Sequence, residues 1–387
     1  MTDRSTGIRT THTGSLPRPL PLVEMLFARD AGEPIDLGVM ERVVSDAVAD
    51  AVAAQLDAGI SIINDGEQGK TNFMNYRFGR LSGFEMGPIA DAARLAISTE
   101  MQDFPEFYAH WLGHGRIRNV EPAPLPTEEL CCTGAVGWRD FSEVERDIAN
   151  LLAASSGSGA DLFMTAISPG TYLPPNHHYP SEEAYVYAMA DVMSREYAAI
   201  VDAGILLQID APDLTVQYRQ QPITVEEHLE YMALRVDAIN HAVRDLPKDR
   251  VRVHVCWGAD EAPHHRDIPL AEIVHSLLRL TPHGMTIPGA NGRHAHEWKV
   301  WEDIQLPEER YIVPGVIDST TNIIEHPDAV AERIIRYAAV LGRDHVVAGV
   351  DCGFDTIADF GQVDPKIVWA KLRSLSEGAA RATQWLW

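Results

Sequence analysis

Two separated segments of the sequence carry sulfur and imidazole side chains that could bind one metal ion. His254 and Cys256 are two positions apart in the apolar segment 251–256, and Cys352 follows the apolar segment 345–350. Residues i and i+2 of a β-strand project from the same face, so His254 and Cys256 would point into one space. Two thiols and an imidazole suit Zn²⁺, and three protein ligands leave its fourth position open, as in catalytic zinc sites.

A purely structural interpretation of these residues is the alternative. Cysteine is among the most buried residue types, and a buried histidine can be satisfied by ordinary hydrogen bonds. For each residue alone this interpretation is the more common one. The joint occurrence of His254, Cys256 and Cys352 at the ends of apolar segments favours a metal site with these three ligands.

A repeated pattern predicts the elements that would position such a site. A helix predicted over 40–58 is followed by a glycine, an apolar segment and then Glu67. The pattern recurs over 182–203, where Ser181 can act as the N-cap and the next apolar segment ends at Asp210. Each unit is therefore a helix, a short turn and a buried strand that delivers an acid.

A third unit begins with a helix-capping signal and ends in the metal-site segment. Thr224 with Glu227 three residues later forms a capping box, and the helix that follows leads to the segment containing His254 and Cys256. Again the predicted strand ends in residues that can do chemistry.

The order of these units predicts the fold class. Strands that alternate with helices and are nearly continuous in apolar residues indicate a parallel sheet covered on both faces. A doubly wound sheet gathers ligands at one switch point, whereas a closed barrel brings eight strand ends to one rim. Because the candidate residues run from Glu67 to Cys352 over several strand ends, we predict an α/β fold of the (β/α)8 TIM-barrel type.

Five further segments are predicted to be strands, which makes nine candidates for the eight places of such a barrel. One of the nine is therefore expected to be peripheral. The five segments are 9–13, 131–136, 162–166, 285–287 and 311–316.

The chain is predicted to form a single TIM-barrel domain over residues 1–387, because no linker or low-complexity tract divides it. Residues at about 83–130 are interpreted as an insertion after the second strand that covers the barrel rim. The glycine-rich pieces lack the spacing of a dinucleotide-binding or P-loop motif, so no nucleotide site is predicted.

The composition argues against several classes of partner. The formal net charge of −24 disfavours nucleic acid, because phosphate backbones are bound mainly through lysine and arginine. No stretch approaches the roughly 20 apolar residues of a membrane span, so we expect a cytoplasmic protein without a membrane partner. Four cysteines are too few for a disulfide framework, and adjacent Cys131 and Cys132 are interpreted as structural. Assembly into a homo-oligomer is left open.

Five short motifs make the sequence similar to the catalytic half of cobalamin-independent methionine synthase, in the same order and at about the same spacing. The motifs lie at 13–19, 65–67, 208–210, 254–256 and 351–353. The resemblance extends from Arg9 to about Thr356. It is closest to the short, single-barrel relatives of that enzyme, which include epoxyalkane:coenzyme M transferases.

The resemblance implies a distorted TIM barrel of the type shared with uroporphyrinogen decarboxylase. It also implies a catalytic zinc ion and activation of a small thiol for attack on carbon. By position, the zinc ligands would be His254, Cys256 and Cys352, and the residues that bind the amino acid part of homocysteine would be Ser15, Glu67 and Asp210.

The sequence departs from the family at one position of the metal site. In methionine synthase a glutamate on the strand after the His-x-Cys strand completes the zinc site, and here the aligned residue is Pro288. Two thiolates and a neutral imidazole would leave the Zn²⁺ site without net charge, which makes the metal a stronger Lewis acid. Alternatively Glu297, His294 or His296 supplies a fourth ligand, or the metal is bound weakly.

These observations lead to a hypothesis of zinc-dependent methyl or alkyl transfer. A small thiol would displace metal-bound water, lose its proton and attack an electrophilic carbon of a donor. Glu67 and Asp210 are the catalytic candidates, since they could bind an ammonium group or relay protons. Their structural alternative is the capping of helices or backbone amides. Asp65, Asp318 and Asp351 are interpreted as structural.

Other functions are compatible with the same residues. The thiol could add to an epoxide, or the site could catalyse a related C–S lyase reaction. From another class, a metal-free decarboxylase or lyase on the same barrel would survive chelation and tolerate Cys352→Ser. A binding protein with structural zinc would have a saturated four-ligand site. The absent glutamate and amino-terminal half argue against plain methionine synthesis from polyglutamyl folate, and the thiol and its electrophile stay unidentified.

Overall fold

The chain forms a curved parallel sheet surrounded by helices. The computed structural model describes residues 6–89, 98–113, 128–359 and 361–387. Its strands are β1 (Ile62–Ile63), β2 (Leu81–Pro88), β3 (Glu128–Trp138), β4 (Asp161–Ile167), β5 (Leu206–Asp210), β6 (Val251–His254), β7 (Gly284–Ile287), β8 (Tyr311–Ile317) and β9 (Gly349–Val350). Among these described residues, seven strands pair in parallel in the order β1, β4, β5, β6, β7, β8 and β9.

The segment 9–13 closes this sheet into a barrel. Thr11 N donates to Ala348 O at 2.9 Å, and Ile62 N donates to Thr10 O at 3.0 Å. The segment therefore takes the eighth place, between β1 and β9, although it joins its neighbours through isolated bridges instead of a continuous ladder. The predicted TIM-barrel fold is confirmed.

The peripheral strand among the nine candidates is the one predicted at 131–136. It belongs to β3, which pairs antiparallel with β2 outside the barrel. Gly83 in β2 has a φ of 94° at a bulge, where a Cβ atom would lie 2.7 Å from Ala135 O. The strand β2 is not apparent from the sequence, because its two glycines and its proline are typical of turns.

The helices confirm the local signals of the sequence. They are α1 (Leu20–Asp30), α2 (Leu37–Asp57), α3 (Thr99–Asp103), α4 (Pro105–Gly113), α5 (Ser142–Ala154), α6 (Glu182–Asp202), α7 (Val216–Gln220), α8 (Val225–Ala242), α9 (Leu270–Leu277), α10 (Pro327–Leu341) and α11 (Pro365–Leu386). The side chain of Ser181 caps α6, and Thr224 with Glu227 forms the predicted capping box of α8. None of the described helices is both long and apolar enough to be a transmembrane segment.

Alternation along the strands places polar residues in the barrel interior near the carboxyl ends. Gln208 in β5 pairs in register with Arg252 in β6. Asp210 and His254 form the next pair on the same face, two residues closer to the carboxyl ends of the strands. Towards the amino ends the interior is apolar, with a cluster of Ile62, Phe163, Leu206, Tyr311, Val313 and Val347. The Arg252 guanidinium lies 4.2 Å from the centre of the Phe163 ring and covers that cluster. The polar side chains near the carboxyl ends therefore lie above a packed apolar layer of the barrel interior.

The described part of the predicted insertion contacts loops at the carboxyl ends of the strands. Residues 90–97 and 114–127 of this insertion lie outside the described residues. Thr99 Oγ1 donates to Arg219 O, after β5, at 2.7 Å. Asp103 pairs with Arg266 in the loop after β6. These contacts agree with a position over the rim, and a single domain over 1–387 stays a prediction.

Candidate metal centre

Three side chains from distant parts of the chain meet at the carboxyl end of the barrel. His254 ends β6, Cys256 lies just beyond it, and Cys352 lies just beyond β9. Cys256 Sγ is 3.4 Å from Cys352 Sγ, which is 3.7 Å from His254 Nε2. The three donor atoms lie within 4.8 Å of one another, and all three residues are buried. The structure thus brings together the residues predicted to be metal ligands.

These separations suit tetrahedral zinc. With bonds of about 2.3 Å to sulfur and 2.0 Å to nitrogen, tetrahedral coordination places two sulfurs about 3.8 Å apart and a sulfur and a nitrogen about 3.5 Å apart. The observed separations of 3.4 Å and 3.7 Å are close to these values, and both cysteines are free. Within the described part of the chain, no further His, Cys, Asp or Glu joins the group. The residues therefore fit zinc with one position open.

Hydrogen bonds within the group favour a thiolate at Cys256. The bond from Cys352 and the neighbouring His254 hold the pKa of Cys256 well below its usual range, and the same bond raises the pKa of Cys352. Burial lowers the pKa of His254, but Cys256 and the charge of Asp210 raise it overall. Gly258 N also donates to Cys256 Sγ, at 3.3 Å. A thiolate is the form of cysteine that binds a metal.

A cavity lies beside the three candidate ligands. It contains about 340 Å³ of space between protein atoms, the open solvent at its mouth included. Ser15, Glu67 and Asp210 line it together with the candidate ligands. The remaining walls are Thr13, Phe73, Pro212, Gly353 and Thr356. All six residues singled out in the sequence therefore border one space.

Glu67 offers this cavity an unused carboxylate oxygen. Its backbone has a φ of 55°, a strained value for a residue with a side chain. Asp65 Oδ1 accepts from Glu67 N at 3.0 Å, and Arg18 Nη2 donates to Glu67 O at 2.8 Å. Thr165 Oγ1 donates to Oε1 at 3.0 Å, whereas Oε2 is buried without a hydrogen-bond partner. A ligand that donates a hydrogen bond would satisfy Oε2.

Asp210 is oriented by a chain of hydrogen bonds inside the barrel. Gln208 Nε2 donates to Asp210 Oδ1 at 2.8 Å, and Arg252 Nε donates to Gln208 Oε1 at 2.8 Å. Burial and the charge of Glu67 raise the pKa of Asp210 to about 7, although His254 acts in the opposite direction. A carboxyl group with such a pKa can take up and release a proton near neutral pH.

Ser15 connects the amino-terminal segment to the loop that carries Cys352. Ser15 O accepts from Phe354 N at 3.0 Å, and Ser15 Oγ accepts from Asp355 N at 3.4 Å. A Cβ atom at Gly353 would overlap Ser15 Oγ, which is a physical reason for the glycine after Cys352. This close approach lets Ser15 and Cys352 border the same cavity.

The residues considered as sources of a fourth ligand do not join the three. Glu297 Oε1 accepts from Leu270 N at 2.8 Å at the start of α9, and its Oε2 lies 2.8 Å from His294 Nδ1. His296 is exposed. Glu297 and His294 are thus engaged in holding loops together, and Pro288 has no carboxylate substitute among the described residues.

The acids interpreted as structural have backbone partners. The Asp351 carboxylate accepts from the backbone N–H groups of Gly289, Ala290 and Asn291 at 2.8 Å each. It therefore holds the loop after β7 against the loop of Cys352. Asp318 Oδ1 accepts from Thr320 N at 2.7 Å, which closes a turn.

An ion network beside this loop predicts a pH-dependent change in stability. His294 lies 3.1 Å from Asp267 Oδ2 and 2.8 Å from Glu297 Oε2. Burial lowers its pKa, but the two carboxylates raise it overall to about 9. Since this value is above that of an unfolded histidine, about 6.5, protonated His294 stabilises the fold at low pH. That contribution is lost as the pH rises through about 9.

We therefore expect His294→Gln to flatten the pH dependence of the unfolding free energy. From about pH 6.5 to 9.5 the wild type should lose up to about 3 kcal/mol more than the variant, at about 1.4 kcal/mol for each unit of pKa. Urea unfolding at both pH values measures the loss. The exposed neighbour provides a control, His296→Gln, which should behave like the wild type. Parallel pH profiles for the wild type and His294→Gln would contradict the prediction.

Two residues of the site are not identified by the sequence motifs. Thr165 holds Glu67, and Lys70 Nζ donates to Thr165 Oγ1 at 3.2 Å. Alternation along β4 was the available signal for Thr165, because Phe163, two residues earlier, also points into the barrel. Nothing local distinguishes Lys70 from a surface lysine.

A second, larger cavity adjoins the first at Pro212. It contains about 1260 Å³ between protein atoms, its open side included, and lies beside the loops after β4 and β5. Its walls include Tyr172, Asp213, Tyr231 and Arg235. This cavity is large enough for a molecule bigger than a simple thiol.

Comparisons with known proteins identify related sequences. The family model described as "Cobalamin-independent synthase, Catalytic domain" matches residues 173–366, just over half of the 387 residues. The match includes Asp210 and the three candidate ligands. A methionine synthase of Sulfolobus acidocaldarius is 25% identical over 367 residues, which are 91% of this chain and 87% of the relative. One of Sulfurisphaera tokodaii is 22% identical, over 95% of this chain and 90% of the relative.

Solved structures share the same fold. A B12-independent methionine synthase from Shewanella sp. W3-18-1, in complex with selenomethionine, has a TM-score of 0.71 at 18% identity and covers 98% of this chain and 99% of its own. A putative vitamin-B12 independent methionine synthase from Listeria monocytogenes has a TM-score of 0.64 at 19% identity, with the same coverage. At these identities the likeness concerns the barrel itself.

Proposed function

Since the chain belongs to the family of the cobalamin-independent synthase catalytic domain, we propose that it transfers a methyl or alkyl group to the sulfur of a small aminothiol such as homocysteine. The observation that carries this proposal is a single cavity bordered by His254, Cys256, Cys352 and the Glu67 carboxylate, whose Oε2 has no hydrogen-bond partner. The first three could activate a sulfur, and Glu67 could hold an amine beside it.

The metal proposed for the centre is zinc, held by His254, Cys256 and Cys352. When bound, Zn²⁺ lowers the pKa of a coordinating thiol, so that the sulfur reacts as a thiolate near neutral pH. The spacing of the three donor atoms supports this assignment, because it is close to that of tetrahedral zinc. Three protein ligands leave room for the substrate sulfur.

The charge of the cavity supports an amine on the substrate. Its walls contain the carboxyl groups of Glu67 and Asp210, and no lysine or arginine is among the described residues that line it. A buried charge is stable only when it is paired, so an ammonium group is favoured here. A thiol whose only charge is a sulfonate, such as 2-mercaptoethanesulfonate, would meet like charges.

Each acid has a separate proposed task. Glu67 Oε2 would accept from the substrate ammonium, because it is the oxygen that the protein leaves unpaired. Asp210 would take up the proton that the thiol releases, because its pKa of about 7 lets it accept a proton at neutral pH. The Ser15 hydroxyl would hydrogen-bond the polar end of the substrate.

The second cavity is proposed to admit the donor. Pro212 lines both cavities, which supports placing the donor there, with its methyl or alkyl carbon directed at the sulfur and the rest of the donor, as leaving group, kept in the second cavity. Its polar and aromatic walls suit a ligand with both ring and hydrogen-bonding groups.

Binding of matched thiols to zinc-loaded protein tests this function. Homocysteine and 4-mercaptobutyrate differ only by the amino group, so their affinities isolate the contribution of Glu67 and Asp210. We expect homocysteine to raise the melting temperature, since a ligand at 100 times its Kd stabilises by about 2.7 kcal/mol. At the same concentration 4-mercaptobutyrate should have little effect.

Substitution of the metal by cobalt gives an independent readout. A sulfur-to-metal absorption band should change when homocysteine is added and should be lost on chelation. Equal or tighter binding of 4-mercaptobutyrate or 2-mercaptoethanesulfonate would contradict the proposed substrate class. Activity that survives complete chelation would contradict the proposed metal chemistry.

A further inference from the structure

Lys70 is a buried cation behind the acids of the cavity. It is 5% exposed, and its ammonium group donates to Thr165 O at 3.1 Å and to Thr165 Oγ1 at 3.2 Å. Lys70 lies in the turn after Glu67, and its backbone N donates to Glu67 O at 3.1 Å. It does not line the cavity itself. A buried lysine is costly unless it is paired, so its position needs an explanation.

The Thr165 hydroxyl accepts a hydrogen bond from Lys70 and donates one to Glu67, so it links the two residues with a fixed donor direction. A hydroxyl has a single hydrogen, and Thr165 Oγ1 gives that hydrogen to Glu67 Oε1 at 3.0 Å. Its lone pairs are then free to accept from Lys70 Nζ. With the ammonium behind it, the hydroxyl can donate only towards the carboxylate. Glu67 Oε1 is therefore fixed, and Oε2 is the oxygen left without a partner.

The surroundings of Lys70 make it, with Arg18, a counter-charge for the acids of this region. The negative groups acting on it are Glu67, Asp65, Asp147 and Glu196. The ring of Tyr76 lies 5.3 Å from its ammonium group, and Tyr76 Oη donates to Asp147 Oδ2 at 2.5 Å. Arg80 is occupied with Glu196. Loss of the Lys70 charge would leave the carboxyl groups of Asp65 and Glu67 without this neighbouring cation.

The use of an intermediate hydroxyl has a consequence for specificity. A lysine bonded directly to Glu67 would compete with a ligand amine for the carboxylate oxygens. A lysine bonded through Thr165 stabilises the carboxylate and leaves one oxygen available for an incoming cation. In the same way, a carboxylate that hydrogen-bonds a metal-binding histidine orients that histidine without touching the metal.

We propose that Lys70 is a positioning residue. Acting through Thr165 on Glu67, it sets the preference of the cavity beside the metal centre for thiols that carry an amine. This inference rests on the proposed function, in which Glu67 binds the substrate amine. It assigns no contact between Lys70 and substrate. Lys70 and Thr165 thus decide how strongly the site distinguishes an aminothiol from the same thiol without its amine.

The test is the ratio of affinities for homocysteine and 4-mercaptobutyrate, measured by calorimetry on zinc-loaded protein. We expect Thr165→Val and Lys70→Met each to reduce this ratio by about tenfold to a hundredfold, as is typical for loss of an orienting partner. Zinc content should be unchanged, because neither residue belongs to the metal centre. Lys70→Arg, which keeps the charge and the donors, should retain part of the ratio.

Matched variants separate the possible outcomes. Lys248→Met removes an exposed lysine at the amino ends of the strands and should leave the ratio unchanged. If Lys70→Met does not fold, Thr165→Val alone decides, because it removes only the hydroxyl. A merely structural role would weaken both ligands equally and keep the ratio.

A further variant distinguishes failure of this inference from failure of the proposed function. Glu67→Gln should abolish the preference for homocysteine. If it does so while Thr165→Val and Lys70→Met keep the wild-type ratio, the positioning role of Lys70 is wrong. If the wild type shows no preference, or Glu67→Gln does not change it, the proposed binding of the amine by Glu67 is wrong instead.

Discussion

Cys352→Ser is expected to lose zinc and to reduce methyl or alkyl transfer by about a thousandfold or more. A serine hydroxyl is not ionised near neutral pH, so the site would keep two of its three protein ligands. Metal activation contributes several kcal/mol to such reactions, and each 1.4 kcal/mol corresponds to about a factor of ten in rate. Metal analysis of the purified variant and single-turnover kinetics with homocysteine measure the two effects.

Cys131→Ser is the matched control for this experiment. Cys131 is also buried, but it lies in the β2–β3 pair away from the barrel. It should keep the zinc content and activity of the wild type. A Cys352→Ser variant that folds, contains stoichiometric zinc and remains active would show that Cys352 is not a ligand. Transfer activity without zinc would contradict the proposed metal chemistry.

Glu67→Gln is expected to lower kcat/KM for homocysteine by about two orders of magnitude. Removing one partner of a buried, hydrogen-bonded charge pair costs about 2–5 kcal/mol. The amide that replaces Oε2 could present an N–H group towards the substrate ammonium, which would add repulsion between two donors. The reaction of 4-mercaptobutyrate, which lacks the amine, should change much less. Steady-state kinetics with both thiols measures the difference.

The exposed Glu272 on α9 provides the control variant, Glu272→Gln, for which neither thiol should be affected. An equal loss with both thiols would mean that Glu67 supports the structure of the pocket instead of binding the amine. A loss in kcat with unchanged KM for homocysteine would point to proton transfer as its task.

By the resemblance to methionine synthase, Pro288 stands where a glutamate ligand is expected, which would distinguish this centre from a four-ligand site. Pro288 cannot act as a ligand, and Glu297 is engaged in capping α9. Among the described residues, the centre has two thiols and one imidazole. A site of that composition carries no net charge when loaded with Zn²⁺, so it would favour the deprotonated form of a substrate thiol more strongly than a site with an added carboxylate.

Much of the fold can be predicted from local patterns. Helix α6 begins after Ser181 and helix α8 begins with the capping box of Thr224 because these signals act over a few residues. The period of a strand predicts His254 and Cys256 on one face, and the structure brings them together although β6 ends at His254. The alternation of such units then favours a barrel with all strand ends on one rim.

Long-range packing decides what these local patterns leave open. The strand at 131–136 has the apolar character of a barrel strand, yet it pairs with β2 outside the barrel, where Cys132 packs against Tyr185. Glu297 and His294 are residue types that can bind metals. In the structure they hydrogen-bond each other, and Glu297 also accepts from Leu270 N at the start of α9. Residue type alone cannot distinguish these environments.

The sequence alone specifies which side chains stand at the carboxyl ends of the strands, because hydrophobic periodicity and helix capping are local properties. It does not specify which of those ends come within bonding distance. That depends on the register of β5, β6 and β9 and on closure by the segment 9–13, which are set by burial over the whole barrel. The 3.4 Å approach of Cys256 and Cys352, and the link from Lys70 through Thr165 to Glu67, exist only in the folded chain for that reason.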